Sequence, residues 1–156
     1  INQLIELVLE KLLITQGAST LVTTMKANGA VTALVSGGFT VITEIIREKL
    51  NFDLCYGNAL VVDSLVVTGN LKPPIIDGNA KAAILDQECE KLKISRNDTL
   101  AVGDGANDIP MLAEAGLGVG FRPKPVVKKH VSNIIEHCDL RGVLFLQGFA
   151  EDEFII

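Results

Sequence analysis

The sequence predicts an α/β fold, a Rossmann-like and mainly parallel sheet with helices on both faces. Three observations carry that reading. Short apolar runs alternate with helical patterns three times in succession after residue 98. A strand, a glycine-rich turn and an amphipathic helix follow one another across residues 31–50, one half of a βαβ unit. The 156 residues are 48% hydrophobic, enough to bury a sizeable core and too apolar for intrinsic disorder.

The elements follow in order. Leu4, Leu7, Val8 and Leu12 fall at helical spacing and predict a helix over 2–13. Gly17 interrupts it, and Leu21, Val22 and Met25 mark a second helix that stops at Asn28-Gly29. The run Val31-Thr32-Ala33-Leu34-Val35 predicts a strand ending at Ser36-Gly37-Gly38. Val41, Ile42, Ile45 and Ile46 then give a helix down to Leu50. Residues 59–68 read as a β-hairpin turning at Asp63-Ser64. Pro73-Pro74 breaks structure, and a helix from Asn79 to Lys93 takes Asn79 as its N-cap. Strands at 99–102, 117–121 and 133–135 are each followed by a helix, at 107–115, 125–131 and 141–147.

Charge and composition exclude several roles. The formal net charge is −5, and no block of Lys and Arg offsets it, so the basic footprint of a nucleic-acid binder is missing. No apolar run reaches the ~18 residues of a membrane span. Cys55, Cys89 and Cys138 are an odd number with no CxxC, which speaks against a disulfide framework or a zinc site and for a reducing cytoplasm. The chain opens at Ile1 without the features of a signal peptide, and we expect it to be the later part of a longer polypeptide.

Three clusters can carry chemistry. Gly103-Asp104-Gly105-Ala106-Asn107-Asp108 follows a buried strand, where open α/β sheets bind ligands. Its two carboxylates, four residues apart, can converge on a hard cation such as magnesium. The plain alternative is a capped helix start. Ser36-Gly37-Gly38 offers a hydroxyl and backbone N–H groups before a helix, a generic anion cradle that is equally well a small-residue turn. Lys81 sits in the first turn of its helix against the macrodipole, which a nearby anion would explain, although a single solvated lysine is commoner. His130, His137, Met25, Met111 and the acidic run 151–153 are assigned to structure or solubility.

Taken together, these clusters resemble the haloacid dehalogenase superfamily of phosphatases, and within it the branch that hydrolyses O-phosphoserine. The resemblance rests on Val-Ser-Gly-Gly-Phe-Thr at 35–40, Val-Thr-Gly-Asn at 67–70, Ala-Lys at 80–81, Gly-Asp-Gly-Ala-Asn-Asp at 103–108, Ala-Gly-Leu-Gly at 115–118 and Lys-Pro at 124–125. It spans roughly residues 17–147. It implies phosphoryl binding by Ser36 and Gly37, a charge-neutralising and catalytic Lys81, a substrate contact from Asn107, and magnesium held by Asp104, with Asp108 as ligand or support. Ser36 and Lys81 would then be walls of one phosphate pocket.

The superfamily's first motif, Asp-x-Asp, occurs nowhere in residues 1–156. The resemblance places it upstream, makes 1–16 the end of a helical cap, and makes 17–156 a hydrolase core without its first strand. The implied activity is magnesium-dependent hydrolysis of O-phosphoserine to serine and phosphate, in serine biosynthesis, through an aspartyl-phosphate whose nucleophile lies outside this chain. The alternatives are another small phosphomonoester as substrate, or an inactive fragment that binds phosphate or magnesium. The expected partner is a small phosphate ester, with neither nucleic acid nor membrane. An open strand edge also favours association between copies.

Overall fold

The computed structural model describes residues 2–64 and 66–156. The chain divides into two compact units, Ile1–Ile76 with Gly148–Ile156, and Asp77–Gln147. No described helix is long and apolar enough to cross a membrane.

The first unit runs α1 (Asn2–Lys11), α2 (Ala18–Ala27), β1 (Ala33–Phe39), α3 (Thr40–Leu50), β2 (Leu54–Asp63) and β3 (Val66–Lys72). Helix α1 stops at Lys11, short of the expected 13, and Leu13 is 90% exposed. The side chains of Leu4 and Leu7 in its predicted stripe lie outside the described residues, as do Ile1 and Leu65. Helix α2 buries Ala18, Thr20, Val22 and Thr24 and ends at Asn28 as the sequence predicts. Thr24 Oγ1 accepts a hydrogen bond from Ile155 N–H at 2.9 Å, so the C-terminal segment returns to this unit.

β1 pairs in parallel with β2, and β2 pairs antiparallel with β3. The predicted hairpin is present, and β2 begins earlier than expected, at Leu54. Gly57-Asn58 reads locally as a turn, yet Asn58 is buried within the strand. Its side chain donates to Gly37 O at 2.8 Å and accepts from Ile76 N–H at 2.7 Å. Those two bonds replace the turn the dipeptide would otherwise favour. The peptide between Pro73 and Pro74, expected as a breaker, is cis.

The second unit runs α4 (Gly78–Leu92), β4 (Leu100–Gly103), α5 (Ile109–Glu114), β5 (Leu117–Phe121), β6 (Asn133–Ile135) and α6 (Gly142–Leu146). β4, β5 and β6 form a parallel sheet in that order. Its core gathers Ala101, Met111, Leu112 and Val127, with Leu85, Ile109, Ala115 and Val131 packed against them. The bounds of β5 and β6 match the sequence reading. The helices do not all match. Asp77 is the N-cap of α4, its side chain accepting from Ala80 N–H at 2.8 Å, where Asn79 was expected. Either residue type caps well, and only the backbone's turn into the helix decides between them. The helix expected over 107–115 starts as a 3₁₀ turn at Ala106–Asp108, and the one expected over 125–131 is reduced to a 3₁₀ turn at Val127–Lys129.

Among the described residues three of the four strand pairings are parallel, as the alternating pattern requires. Among the described residues, β1 pairs only with β2 and β4 only with β5.

Candidate active site

The chemistry of the second unit is built on the turn after β4. Val119 and Ala101 anchor the sheet in the core, and β4 delivers Gly103 and Asp104 at its carboxyl end. The chain then reverses so tightly that Asp108 folds back under it. Both the Asp104 and the Gly105 N–H donate to Asp108 Oδ2, each at 3.0 Å. Gly103 is required for this. A Cβ there would lie 2.5–2.8 Å from Asp108 Cβ, Cγ and Oδ2, closer than any side chain can sit.

The other oxygen of Asp108 is also taken. Lys81, from the first turn of α4, donates from Nζ to Asp108 Oδ1 at 2.5 Å. Both residues are nearly closed to solvent, Lys81 at 5% and Asp108 at 6% exposure. Burial alone would raise the Asp108 pKa. The Lys81 ammonium and the two backbone N–H donors outweigh it and hold the carboxyl below its ordinary value. A buried cation near a helix N-terminus therefore has its anion within the protein, and α4 is locked to the turn by that pair. Gly78 assists, since a Cβ there would reach 3.0 Å from Asn107 O.

Asp104 differs from Asp108 in every respect. It is exposed, and among the described residues its carboxylate has no ion-pair or hydrogen-bond partner; only its backbone is engaged. Asn107 is exposed on the same turn. Asp108 thus supports the turn, with every near partner already satisfied, while Asp104 is the carboxylate left free to meet a ligand. Magnesium uses one or two carboxylates with waters and phosphate oxygens, and the chemistry of Asp104 fits that need. No group of three or more His, Cys, Asp or Glu converges among the described residues.

Ser36 and Gly37 belong to the first unit. They lie in the irregular part of β1, between the paired Val35 and Phe39, rather than in a separate loop. Ser36 Oγ accepts from Gly38 N–H at 2.9 Å, and Gly37 is exposed with its carbonyl held by Asn58. His130 and His137 are exposed, and Met111 is in the core.

Two contributors escape a reading of the sequence. Asn58 fixes the Gly37 carbonyl from 21 residues away, and no local pattern announces it. Lys124 donates its backbone N–H to Asp104 O at 2.9 Å, which ties the segment after β5 to the turn after β4. The Lys-Pro dipeptide is its one visible sign.

Comparison with known proteins places the chain in a family. The chain is 38% identical over 148 residues to a probable phosphoserine phosphatase of Schizosaccharomyces pombe, covering 94% of this chain and 50% of that protein. It is 39% identical over 140 residues to a phosphoserine phosphatase of Methanocaldococcus jannaschii, covering 90% of this chain and 66% of that protein. The chain therefore spans between half and two thirds of the length of these relatives. A solved substrate-bound phosphoserine phosphatase complex superposes with a TM-score of 0.85 at 38% identity, over 90% of this chain and 67% of that one. A phospho-aspartyl intermediate analogue of phosphoserine phosphatase matches with the same TM-score. The family model for haloacid dehalogenase-like hydrolases matches residues 1–113, taking in the Ser36 segment, Lys81 and the whole turn around Asp104. The family model over most of the chain and the identity to these relatives show that the chain belongs to the haloacid dehalogenase-like hydrolase family.

Proposed function

We propose that this chain forms the phosphate- and metal-binding part of a magnesium-dependent phosphatase acting on O-phosphoserine. The observation that carries the reading is the division of labour between two aspartates. Asp108 is buried, paired with Lys81 and bonded to the turn, whereas Asp104 is presented to solvent with its carboxylate free. Magnesium bound at Asp104 would stabilise charge on phosphoryl oxygens, which is the main source of rate enhancement in phosphoryl transfer. Lys81 keeps Asp108 ionised and the turn fixed, so Asp104 is preorganised before any ligand arrives. Asn107 offers a neutral amide beside it for a substrate hydroxyl, amine or carboxylate. For Ser36 and Gly37 the reading is a hydroxyl and a backbone N–H for phosphoryl oxygens. The identity to phosphoserine phosphatases over most of the chain supports the substrate. A cytoplasmic role in serine biosynthesis follows from that substrate.

Covalent phosphoryl transfer needs an attacking carboxylate. No Asp-x-Asp occurs in the sequence, Asp108 is engaged on both oxygens, and Ser36 has only a backbone N–H beside its hydroxyl among the described residues and no base. The 156 residues alone are therefore expected to release no phosphate from O-phosphoserine at saturating magnesium. A polypeptide that carries an Asp-x-Asp strand joined ahead of residue 1 is expected to turn it over, and Asp104→Asn in that polypeptide to raise the magnesium requirement sharply. Turnover by the 156 residues, or an unchanged magnesium titration in Asp104→Asn, contradicts the assignment. A panel of other small phosphomonoesters, hydrolysed as fast as O-phosphoserine, would favour a broader phosphatase.

A further inference from the structure

Lys81 cannot be the whole positive charge of this site. Its ammonium lies 2.5 Å from Asp108 and is used to neutralise that carboxylate. Counting Asp104, Asp108 and Lys81 together leaves the turn with a net negative charge, which repels an anionic ligand. A second cation stands beside it. Lys124 Nζ lies 3.9 Å from the position a Cβ on Gly105 would take, and Asn107 Oδ1 at 2.8 Å and Asp108 Oδ2 at 3.7 Å lie nearer to the same point. Gly105 is itself buried, so the Lys124 ammonium stands beside the turn and not over an open backbone face.

The backbone of Lys124 is pinned while its ammonium is not. Its N–H donates to Asp104 O at 2.9 Å, and its carbonyl accepts from Val127 N–H at 2.9 Å. Pro123, which is buried, and Pro125 restrict the chain on either side. Val127 is fully buried and anchors the turn that follows. Yet Lys124 is exposed and has no carboxylate within ion-pair range among the described residues. By contrast, the neighbouring Lys128 pairs with Glu136. A rigidly mounted, exposed lysine without an ion-pair partner, beside a turn that presents the Asp104 carboxylate to solvent, is a place for an anion.

We infer that Lys124 is the second anion-binding cation of this site and contacts a phosphoryl oxygen of the ligand beside the Asp104 turn. The inference rests on the phosphatase reading above and adds a binding residue to it. Charge supports a phosphoryl dianion as the ligand. Lys124 brings the local sum to zero, and a divalent cation on Asp104 then leaves two positive charges, the complement of a phosphomonoester dianion. The role of Lys124 is in binding, so its loss acts on affinity for the anion and not on the metal.

The test is calorimetric titration of the 156-residue chain with inorganic phosphate in excess magnesium, and separately with magnesium alone. Lys124→Gln is expected to weaken phosphate binding about 10-fold, the scale of one charge-assisted hydrogen bond. Lys124→Arg, which keeps the charge, is expected to retain most of the affinity. Lys129→Gln, an exposed lysine on the following turn, is expected to change nothing. Magnesium binding in Lys124→Gln should be unchanged or slightly tighter, because a nearby positive charge is gone. Phosphate affinity unaltered in Lys124→Gln, or magnesium and phosphate affinity falling together, overturns the role of Lys124 and leaves the phosphatase reading in place. Normal magnesium binding with no phosphate binding in the unsubstituted chain overturns the phosphate reading itself, and Lys124 with it.

Discussion

The two glycine-rich turns, Ser36-Gly37-Gly38 in the first unit and Gly103-Asp104-Gly105 in the second, look alike as sequence and are supported very differently. The second closes on a buried carboxylate that accepts two backbone N–H groups and a lysine ammonium brought from a separate helix. The first is held by a bond from Gly38 N–H to Ser36 Oγ and by Asn58 on the Gly37 carbonyl. In the second turn the site geometry and the stability of the unit are one network. In the first they are nearly separate. Polar groups excluded from water must be fully satisfied to persist, so a buried turn is rigid and intolerant of change. An exposed turn can exchange its partners for water.

The largest effect that could break this contrast is at Asp108. Asp108→Ala leaves Lys81 buried without its partner and frees two N–H donors, an expected loss of about 3–5 kcal/mol. Asp108→Asn keeps an acceptor and removes the charge, and should lose less. Urea midpoints of the two variants measure this. A midpoint for Asp108→Ala within error of the unsubstituted chain would mean that the pair does not hold α4 to the turn.

The same pair fixes the pH dependence. Asp108 has a folded pKa below its ordinary value of 3.8. The unfolded chain therefore binds the proton more readily, and the stabilisation is fully present above that value. It is lost as pH falls from 3.8 through the lower folded value. Urea denaturation followed from about pH 6 down to about pH 3 should show a steeper loss in the unsubstituted chain than in Asp108→Asn. Parallel curves would remove Asp108 from the account.

Glycine substitutions give the smaller and most direct comparison. Gly103→Ala drives a Cβ into Asp108 and should destabilise by about 1–3 kcal/mol through forced displacement. At Gly37 the nearest atom to an added Cβ is Ile76 O at 3.5 Å, an ordinary contact. Gly37→Ala should be neutral or stabilising by roughly 0.4–1 kcal/mol, because it restricts the unfolded chain. Equal thermal midpoints for the two variants would erase the distinction between the turns.

Much of this was legible in the residues. The alternation after residue 98 located β4, β5 and β6 to within a residue, since buried parallel strands are short apolar runs whatever surrounds them. The hairpin at 63–66 was legible for a similar reason, since two β-rich runs lie close together. Helix starts were less so. Asp77 and Asn79 are both competent caps, and the direction from which the chain enters α4 selects Asp77. The beginning of β2 was hidden because Gly57-Asn58 favours a turn locally, and two long-range bonds to Asn58 override that preference.

The site divides along the same line. The sequence by itself determined that Asp104, Asn107 and Asp108 share one turn at the end of a strand, because the spacing is local and glycine permits the reversal. It determined the element order and the family as well, through motifs only a few residues long. Tertiary structure decided which aspartate is buried, that Lys81 is its partner across 27 residues, and that Lys124 stands beside the turn without an ion-pair partner among the described residues. Those outcomes depend on how α4 and the segment after β5 pack against the turn. Burial and pairing are sums over neighbours distant in sequence, and no local pattern can encode which neighbour arrives.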